Sequence, residues 1–265
     1  MSIGDAEIKT QERVIRFFKD PEILGYQYIG NLSDYQNKNI KEDRLRQYLR
    51  LKGYADKLID AAIMQLQQEA GNLSRGVYDA NKTVYSRLKY GIPVSESPEK
   101  PPVTVQLVDE EKPLNNDFAI AEEVTVVEQS EKRPDLVVYL NGIAVAVIEL
   151  KRSSISVSEG IRQNLTNQKN SFIQSFFTTM QFCMAGNESE GLRYGTLLTG
   201  EKFYMEWKDD GFKEHEEERD PVDVRISKTC EGIENKLLKQ IYAMFDKERF
   251  IDLIMNFVVF DKGLK

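Results

Sequence analysis

Two short apolar runs joined by Asn141-Gly142 constrain the fold of this chain more than any other feature of its sequence. The runs are Leu136–Leu140 and Ile143–Ile148, and almost every position in both is apolar. An Asn-Gly dipeptide between apolar runs is the strongest short-range signal for a β-hairpin, because both residues tolerate the left-handed backbone of a two-residue turn. Strands that are apolar on both faces are usually buried on both faces. The sequence therefore predicts a central hairpin in a sheet that other elements cover on both sides.

The pattern on either side of the hairpin predicts an α/β fold with a central mixed sheet flanked by helices. Helical periodicity covers residues 8–19, most of 40–90, 158–177 and 231–260, and strand-like patterns cover 103–108, 118–127, 180–185, 194–198 and 202–207. Residues from about 40 to 92 form a helical insertion before the sheet, and the last stretch forms a long C-terminal helix. We divide the chain into a domain of residues 1–225 and a helical extension of residues 226–265.

Composition excludes several classes of protein. No apolar run approaches the length of about 20 residues that a membrane-spanning helix needs. The N-terminus lacks the order of a signal peptide, so we expect a cytoplasmic protein with no membrane partner. Cys183 and Cys230 lie far apart and lack metal-ligand spacing, which excludes a zinc site. The net charge of −7 lacks the basic footprint of a self-sufficient DNA-binding protein, so any DNA contact is local or is supplied by another domain.

Charged residues stand at the ends of the two apolar runs. Asp135 opens the first run, and Glu149 and Lys151 close the second, where side chains two positions apart share one face of a strand. Unpaired charges are costly at a buried strand end, whereas two carboxylates suit a hard cation such as Mg²⁺, or Mn²⁺ as its substitute. With the metal at Asp135 and Glu149, Lys151 would orient water or stabilise negative charge during phosphodiester hydrolysis. The competing interpretation is an ion pair without a metal.

The expected hairpin register places a condition on this site. A two-residue turn pairs Leu140 with Ile143, and counting outward then pairs Asp135 with Ile148. Glu149 would consequently face the other side of the sheet. For the two carboxylates to meet, the hairpin needs a three-residue loop or a bulge, or Asp135 must lie outside regular pairing.

These motifs resemble those of a known nuclease family. Pro134-Asp135 followed by Glu149-Leu150-Lys151 resembles the PD-(D/E)xK nuclease motif. The surrounding sequence resembles the nuclease domain of type I restriction subunits. The segments that carry this resemblance are 7–15, 24–26, 114–118, 133–135, 141–142, 147–151, 250–257 and 260–261. The resemblance covers nearly the whole chain, and the combined string is more specific than the short motif alone.

The resemblance implies a restriction-endonuclease-like fold and magnesium-dependent cleavage of DNA. It implies a subunit that pumps DNA with an ATP-driven motor, with ATP bound only in motor domains beyond this chain. The implied partners are double-stranded DNA, the modification and specificity subunits, and the motor domains of the same subunit. Two alternatives remain open: a stand-alone nuclease of repair or mobile-element type, and a non-catalytic scaffold domain.

Two further site residues follow from the resemblance. An acidic residue on the first helix often assists the metal site of related nucleases, and Glu7 and Glu12 are the candidates. We favour Glu7, because at 100° per residue it lies on the same face as the apolar Val14. Related nucleases also carry a Gln-x-x-x-Tyr motif on the helix after the hairpin. Gln163 matches its first position, and we prefer it to Gln168, although Asn167 replaces the tyrosine.

Two other features carry no chemistry. Residues 195–202 nearly match a phosphate-binding loop, but Glu201 replaces the required lysine, so we expect no nucleotide site in this chain. The single histidine, His215, lies in a run of charged residues that is typical of a solvated loop, and we expect no catalytic role for it.

Overall fold

The computed structural model describes residues 3–97, 99–208 and 220–261 of the chain. Its α-helices are α1 (Ile3–Lys19), α2 (Glu42–Leu51), α3 (Asp56–Gly71), α4 (Val77–Tyr90), α5 (Val157–Asn167), α6 (Pro221–Glu231), α7 (Lys236–Phe245) and α8 (Lys247–Asp252). Its strands are β1 (Gln27–Asn31), β2 (Ile92–Val94), β3 (Val103–Val105), β4 (Phe118–Glu122), β5 (Val126–Val127), β6 (Glu131–Lys132), β7 (Leu136–Leu140), β8 (Ile143–Leu150), β9 (Phe182–Asn187) and β10 (Gly191–Gly195). His215 lies outside the described residues.

A six-stranded mixed sheet forms the centre of the fold, in the order β1-β4-β7-β8-β9-β10. Strand β1 runs parallel to β4 and β8 parallel to β9, while the other neighbours are antiparallel. The predicted α/β class and mixed sheet are confirmed, and α2, α3 and α4 form the helical insertion ahead of β4. Among the described helices, none is long and apolar enough to cross a membrane.

The predicted central hairpin is β7–β8, and all of its strand residues are buried. Leu136, Val138 and Leu140 belong to the core that packs against α1 and the helical insertion. Val137 and Tyr139 point to the opposite core, which the segment 173–180 covers. Successive side chains of a strand alternate between faces, so a strand covered on both faces needs an uninterrupted apolar sequence.

The helical insertion packs on the turn of this hairpin. Asn141 and Gly142 have φ values of 52° and 82°, the left-handed values expected of the two-residue turn. A Cβ atom on Gly142 would lie 2.7 Å from both Leu45 N and Lys41 O at the start of α2. The amide of Lys41 donates to the Gly142 carbonyl at 2.7 Å, which fixes α2 against the turn.

Several element predictions need correction. The strand predicted over 202–207 is wrong, because residues 201–203 form a 3-10 turn and only Met205 makes a β-bridge, to Tyr194. No α-helix follows β10 there, so the near match to a phosphate-binding loop lacks the strand–loop–helix context of such a site. The helix predicted over 158–177 ends at Asn167, and a 3-10 segment follows at 174–179.

The C-terminal region is helical, as predicted, but it is not one uninterrupted helix. The Asn235 side chain accepts a hydrogen bond from Leu238 N and caps the start of α7. The Asp246 side chain accepts from Arg249 N and caps α8, so the chain changes direction between the two helices. Ile241 and Phe245 of α7 are buried in the same core as the hairpin.

Candidate active site

A bulge in β8 brings the two predicted carboxylates together. The turn pairs Leu140 with Ile143, as expected, but the register then shifts so that Val138 pairs with Ala146 and Leu136 with Ile148. One extra residue of β8 is therefore accommodated near Ala144. The next position outward places Asp135 opposite Glu149 instead of Ile148. The predicted departure from the strict register is confirmed, and of the alternatives the strand bulge is the one the protein uses.

Asp135 is held by main chain from the partner strand. Its Oδ2 accepts a hydrogen bond from Leu150 N at 2.7 Å. The Lys151 Nζ atom lies 4.0 Å from the same oxygen. Both side chains are mostly buried, with exposed fractions of 16% for Asp135 and 15% for Lys151. The predicted triad therefore meets at the end of β8.

Glu149 is fully buried, and only one of its two carboxylate oxygens has a hydrogen-bond partner. Its Oε2 accepts a hydrogen bond from Gln163 Nε2 at 2.7 Å. Its Oε1 is buried and has no hydrogen-bond partner. A buried carboxylate oxygen without a partner destabilises the fold, because no hydrogen bond replaces those that it makes with water in the unfolded chain. A cation bound between Asp135 and Glu149 would give this oxygen a partner.

Burial and charge shift the pKa values of all three groups. Burial raises the pKa of Asp135 to about 6, against the opposing effects of the Lys151 ammonium and the Leu150 amide. Burial, followed by the charge of Asp135, raises the pKa of Glu149 well above its usual range. Burial alone would lower the pKa of Lys151, but Asp135 and Glu149 outweigh it and the pKa is raised. Without a cation, burial and the closeness of the two groups therefore favour the protonated form of the carboxyl groups.

Helix α1 contributes Glu7 to this site. The Glu7 Oε1 atom lies 3.3 Å from Lys151 Nζ, so the glutamate and the lysine form an ion pair. Glu12, the other candidate, is exposed on α1. Glu7, the candidate favoured from the sequence, thus contacts the triad by its ion pair with Lys151.

Helix α5 brings Gln163 to the site because Gly160 lets it approach closely. A Cβ atom on Gly160 would lie 2.9 Å from the Ala185 Cβ and 3.3 Å from the Glu149 Cβ. Asn167, which replaces the tyrosine of the related motif, is buried. Gln168 is also buried, and its Oε1 accepts a hydrogen bond from Leu198 N at 2.7 Å, which is a structural role.

Sequence reasoning missed a further group beside the triad. Glu123 follows β4 with a φ of 50°, and its charge contributes to the raised pKa values of Asp135 and Glu149 after the larger effect of burial. Its side chain pairs with Arg133 and accepts a hydrogen bond from Gln11. The available signal was the acidic pair Glu122-Glu123, which interrupts the strand-like pattern predicted over residues 118–127.

The donor chemistry fits a hard divalent cation. Two buried carboxylates face each other, and one of their oxygens lacks a partner. Within the described part of the chain, no group of three or more His, Cys, Asp or Glu side chains is arranged to hold a metal ion. Magnesium commonly takes one or two protein carboxylates and completes its shell with water and phosphate oxygens, so two ligands are sufficient.

Comparison with known proteins identifies a family to which most of the chain is similar. Residues 7–203 match the family model described as type I restriction enzyme R protein N terminus. One relative is named "Putative type I restriction enzyme MjaIXP endonuclease subunit", from Methanocaldococcus jannaschii, and is 26% identical over 202 residues. That alignment covers 68% of this chain but only 18% of the relative. Because the family match covers more than half of its residues, the chain belongs to the type I restriction enzyme R protein N-terminal family.

Proposed function

We propose that this chain is a nuclease domain that hydrolyses DNA phosphodiester bonds with the help of magnesium. The observation that carries the proposal is the bulged register of β7 and β8, which brings Asp135 opposite Glu149 at a buried strand end. A sheet that needed only to be stable would place apolar side chains there, as it does at four of the five positions of β7. The Glu149 Oε1 atom at the same position has no hydrogen-bond partner, and a bound cation would supply one.

Each residue has a role in this reaction. Asp135 and Glu149 would hold Mg²⁺, or Mn²⁺ in its place. When bound, the ion would acidify a water molecule and neutralise charge on the phosphate. The Lys151 ammonium orients the attacking water or stabilises the negative charge that develops on the phosphate. Glu7 fixes the position of Lys151, and Gln163 fixes that of Glu149.

We propose that this nuclease domain works as one part of a larger enzyme assembly. The chain spans less than a fifth of its relative's length. We propose that the remainder of the natural subunit contains an ATP-driven motor that moves double-stranded DNA, and that ATP binds only there. The modification and specificity subunits would be further partners, and the assembly would act in the cytoplasm. Family membership supports these proposals.

The decisive test separates cleavage from DNA movement. In the assembled enzyme, we expect Lys151→Ala and Asp135→Ala to reduce plasmid cleavage by about 100-fold or more, since each removes a group from the reacting centre. ATP turnover should continue, because the motor lies outside this chain. Lys100→Ala is the matched control, since Lys100 pairs with Glu96 at the surface, in the segment between β2 and β3.

The alternatives predict different results. Full cleavage by both variants would move the active site elsewhere. Loss of cleavage together with loss of a cooperative thermal transition would favour the scaffold interpretation, in which Asp135 and Lys151 form a structural ion pair. Sequence-selective cleavage by the 265-residue chain alone would favour a stand-alone nuclease.

A further inference from the structure

Glu123 has a backbone conformation that is unusual for its residue type. Its φ of 50° lies in the left-handed region, where a Cβ atom meets the following carbonyl oxygen. Glycine adopts this region freely, and asparagine does so more readily than other residues. Non-glycine residues that are held there concentrate at functional sites, because the surrounding structure must stabilise them.

This conformation anchors the segment that carries Asp135. The amide of Glu123 donates to the Asp135 carbonyl at 2.8 Å, and the next amide, of Val124, donates to the Pro134 carbonyl at 3.0 Å. Two successive amides thus bind two successive carbonyls just beyond the regular pairing of β4 with β7. Proline has no amide hydrogen, so Pro134 can be held by main-chain hydrogen bonds only through its carbonyl oxygen, which accepts the bond from Val124. Glycine at position 123 would provide the same two bonds with less strain.

The side chain explains why the residue is a glutamate. Its Oε2 lies 2.8 Å from Arg133 Nε, two residues before Asp135. Its Oε1 accepts a hydrogen bond from Gln11 Nε2 at 3.0 Å. Gln11 is only 8% exposed and lies one helical turn after Glu7 on α1. The carboxylate therefore ties the Asp135 segment to the helix that positions Lys151.

We infer that Glu123 is a positioning residue of the nuclease site, which holds Asp135 opposite Glu149 and adds negative charge that attracts the divalent cation. This inference rests on the proposed function. A surface salt bridge with no further role would contribute little to stability and nothing to metal binding. If Glu123 has a positioning role, removal of its side chain should weaken metal binding without lowering the thermal stability of the fold.

Three variants of the 265-residue chain test this inference. Glu123→Gly relieves the strained backbone and deletes the carboxylate, Glu123→Gln keeps the side-chain shape but removes the charge, and Glu122→Gln is the matched control. Glu122 also accepts a hydrogen bond from Gln11, but its other partner is Tyr28 instead of Arg133. The measurements are Mn²⁺ affinity by calorimetry and the midpoint of thermal unfolding without metal.

We expect Glu123→Gly to unfold at the same or a higher temperature than the wild type while binding Mn²⁺ about 10-fold more weakly, as is typical when a group that orients a metal ligand is removed. Glu123→Gln should also weaken Mn²⁺ binding, and Glu122→Gln should not. Wild-type Mn²⁺ affinity in Glu123→Gly would overturn the inference, as would equal weakening by Glu122→Gln. If Asp135→Ala also bound Mn²⁺ like the wild type, the proposed metal site itself would fail.

Discussion

Asp135 and Glu149 stand where burial and mutual repulsion both oppose folding. Burial raises the pKa of each carboxyl group, and the charge of Asp135 raises that of Glu149 further. The Leu150 amide and Lys151 offset only part of this cost for Asp135. Residues chosen for stability alone would not be placed in this way, whereas a site that binds a cation retains them for its function.

Replacing Asp135 with asparagine should therefore stabilise the metal-free protein near neutral pH. The folded-state pKa of about 6 lies above the unfolded value of 3.8, so stability falls as pH rises between about 4 and 6 and stays low above that range. Asparagine can still accept the Leu150 hydrogen bond but does not ionise. We expect Asp135→Asn to add about 1–3 kcal/mol at pH 7 and little at pH 4.

Thermal or urea unfolding at several pH values in chelator would measure this effect. Asp34→Asn, at an exposed position, is the control for loss of a carboxylate in general. A gain of the same size at pH 4 and pH 7 would show that the Asp135 charge is not the cause.

The triad could be predicted from the sequence because its residues border an unmistakable hairpin. Glu123 could not, because its role depends on a left-handed backbone and on contacts with Gln11 and Arg133 that no local pattern encodes. The same limit applied to the register. Since the strand residues of β7 and β8 are buried on both faces, no alternation of polar and apolar residues marked where the bulge would fall.

Among the elements, β1 and the segment after β10 show where periodicity fails. Strand β1 is short and half-exposed, and its partner β4 lies beyond the insertion, so nothing local identified it. Residues 202–207 contain the aromatic side chains of Phe203, Tyr204 and Trp207, which are typical of strands. They nevertheless form a turn and a loop, in which Phe203 and Met205 are exposed.

Helix α5 depends on a glycine for its distance from the sheet. Alanine usually stabilises a helix interior relative to glycine by about 1 kcal/mol. At Gly160, however, the added methyl group would lie 2.9 Å from the Ala185 Cβ, which is closer than contact distance. We expect Gly160→Ala to lower the free energy of unfolding by about 1–3 kcal/mol, as overpacking does, and to weaken Mn²⁺ binding by moving Gln163 away from Glu149.

Gly71→Ala provides the matched control for this substitution. Gly71 is the last residue of α3, and nothing lies within 4 Å of the position that its Cβ would occupy. The alanine there should leave stability equal or slightly higher and metal binding unchanged. A Gly160→Ala protein as stable as the wild type, with full Mn²⁺ affinity, would show that α5 does not set the geometry of Glu149.

At the scale of the whole molecule, the charge around the site would repel the proposed DNA substrate. The net charge is −7, and several glutamates surround the edge of the sheet where β4, β8 and β9 end. Glu122 and Glu123 follow β4, and Glu188 follows β9 and pairs with Arg13. DNA carries dense negative charge, so under the proposed function the rest of the assembly would supply much of the attraction.

The isolated chain should accordingly bind duplex DNA weakly and with strong salt dependence. We expect the affinity, measured by fluorescence anisotropy in chelator, to fall on the order of 10-fold or more between about 50 and 200 mM salt. Glu188→Gln should tighten binding, whereas Glu22→Gln, before β1 and near the opposite edge of the sheet, should have less effect. Tight, sequence-selective binding by the chain alone would contradict this expectation.

The parallel pairing of β1 with β4 also governs the order in which the protein can fold. The two strands are neighbours in the sheet, yet the entire helical insertion lies between them in the chain. During synthesis β1 leaves the ribosome long before its partner, while α2, α3 and α4 can form from contacts that are near in sequence. Once folded, those helices shorten the effective loop that must close to join the strands. The insertion thus acts as a folded spacer that lowers the entropic barrier to completing the sheet.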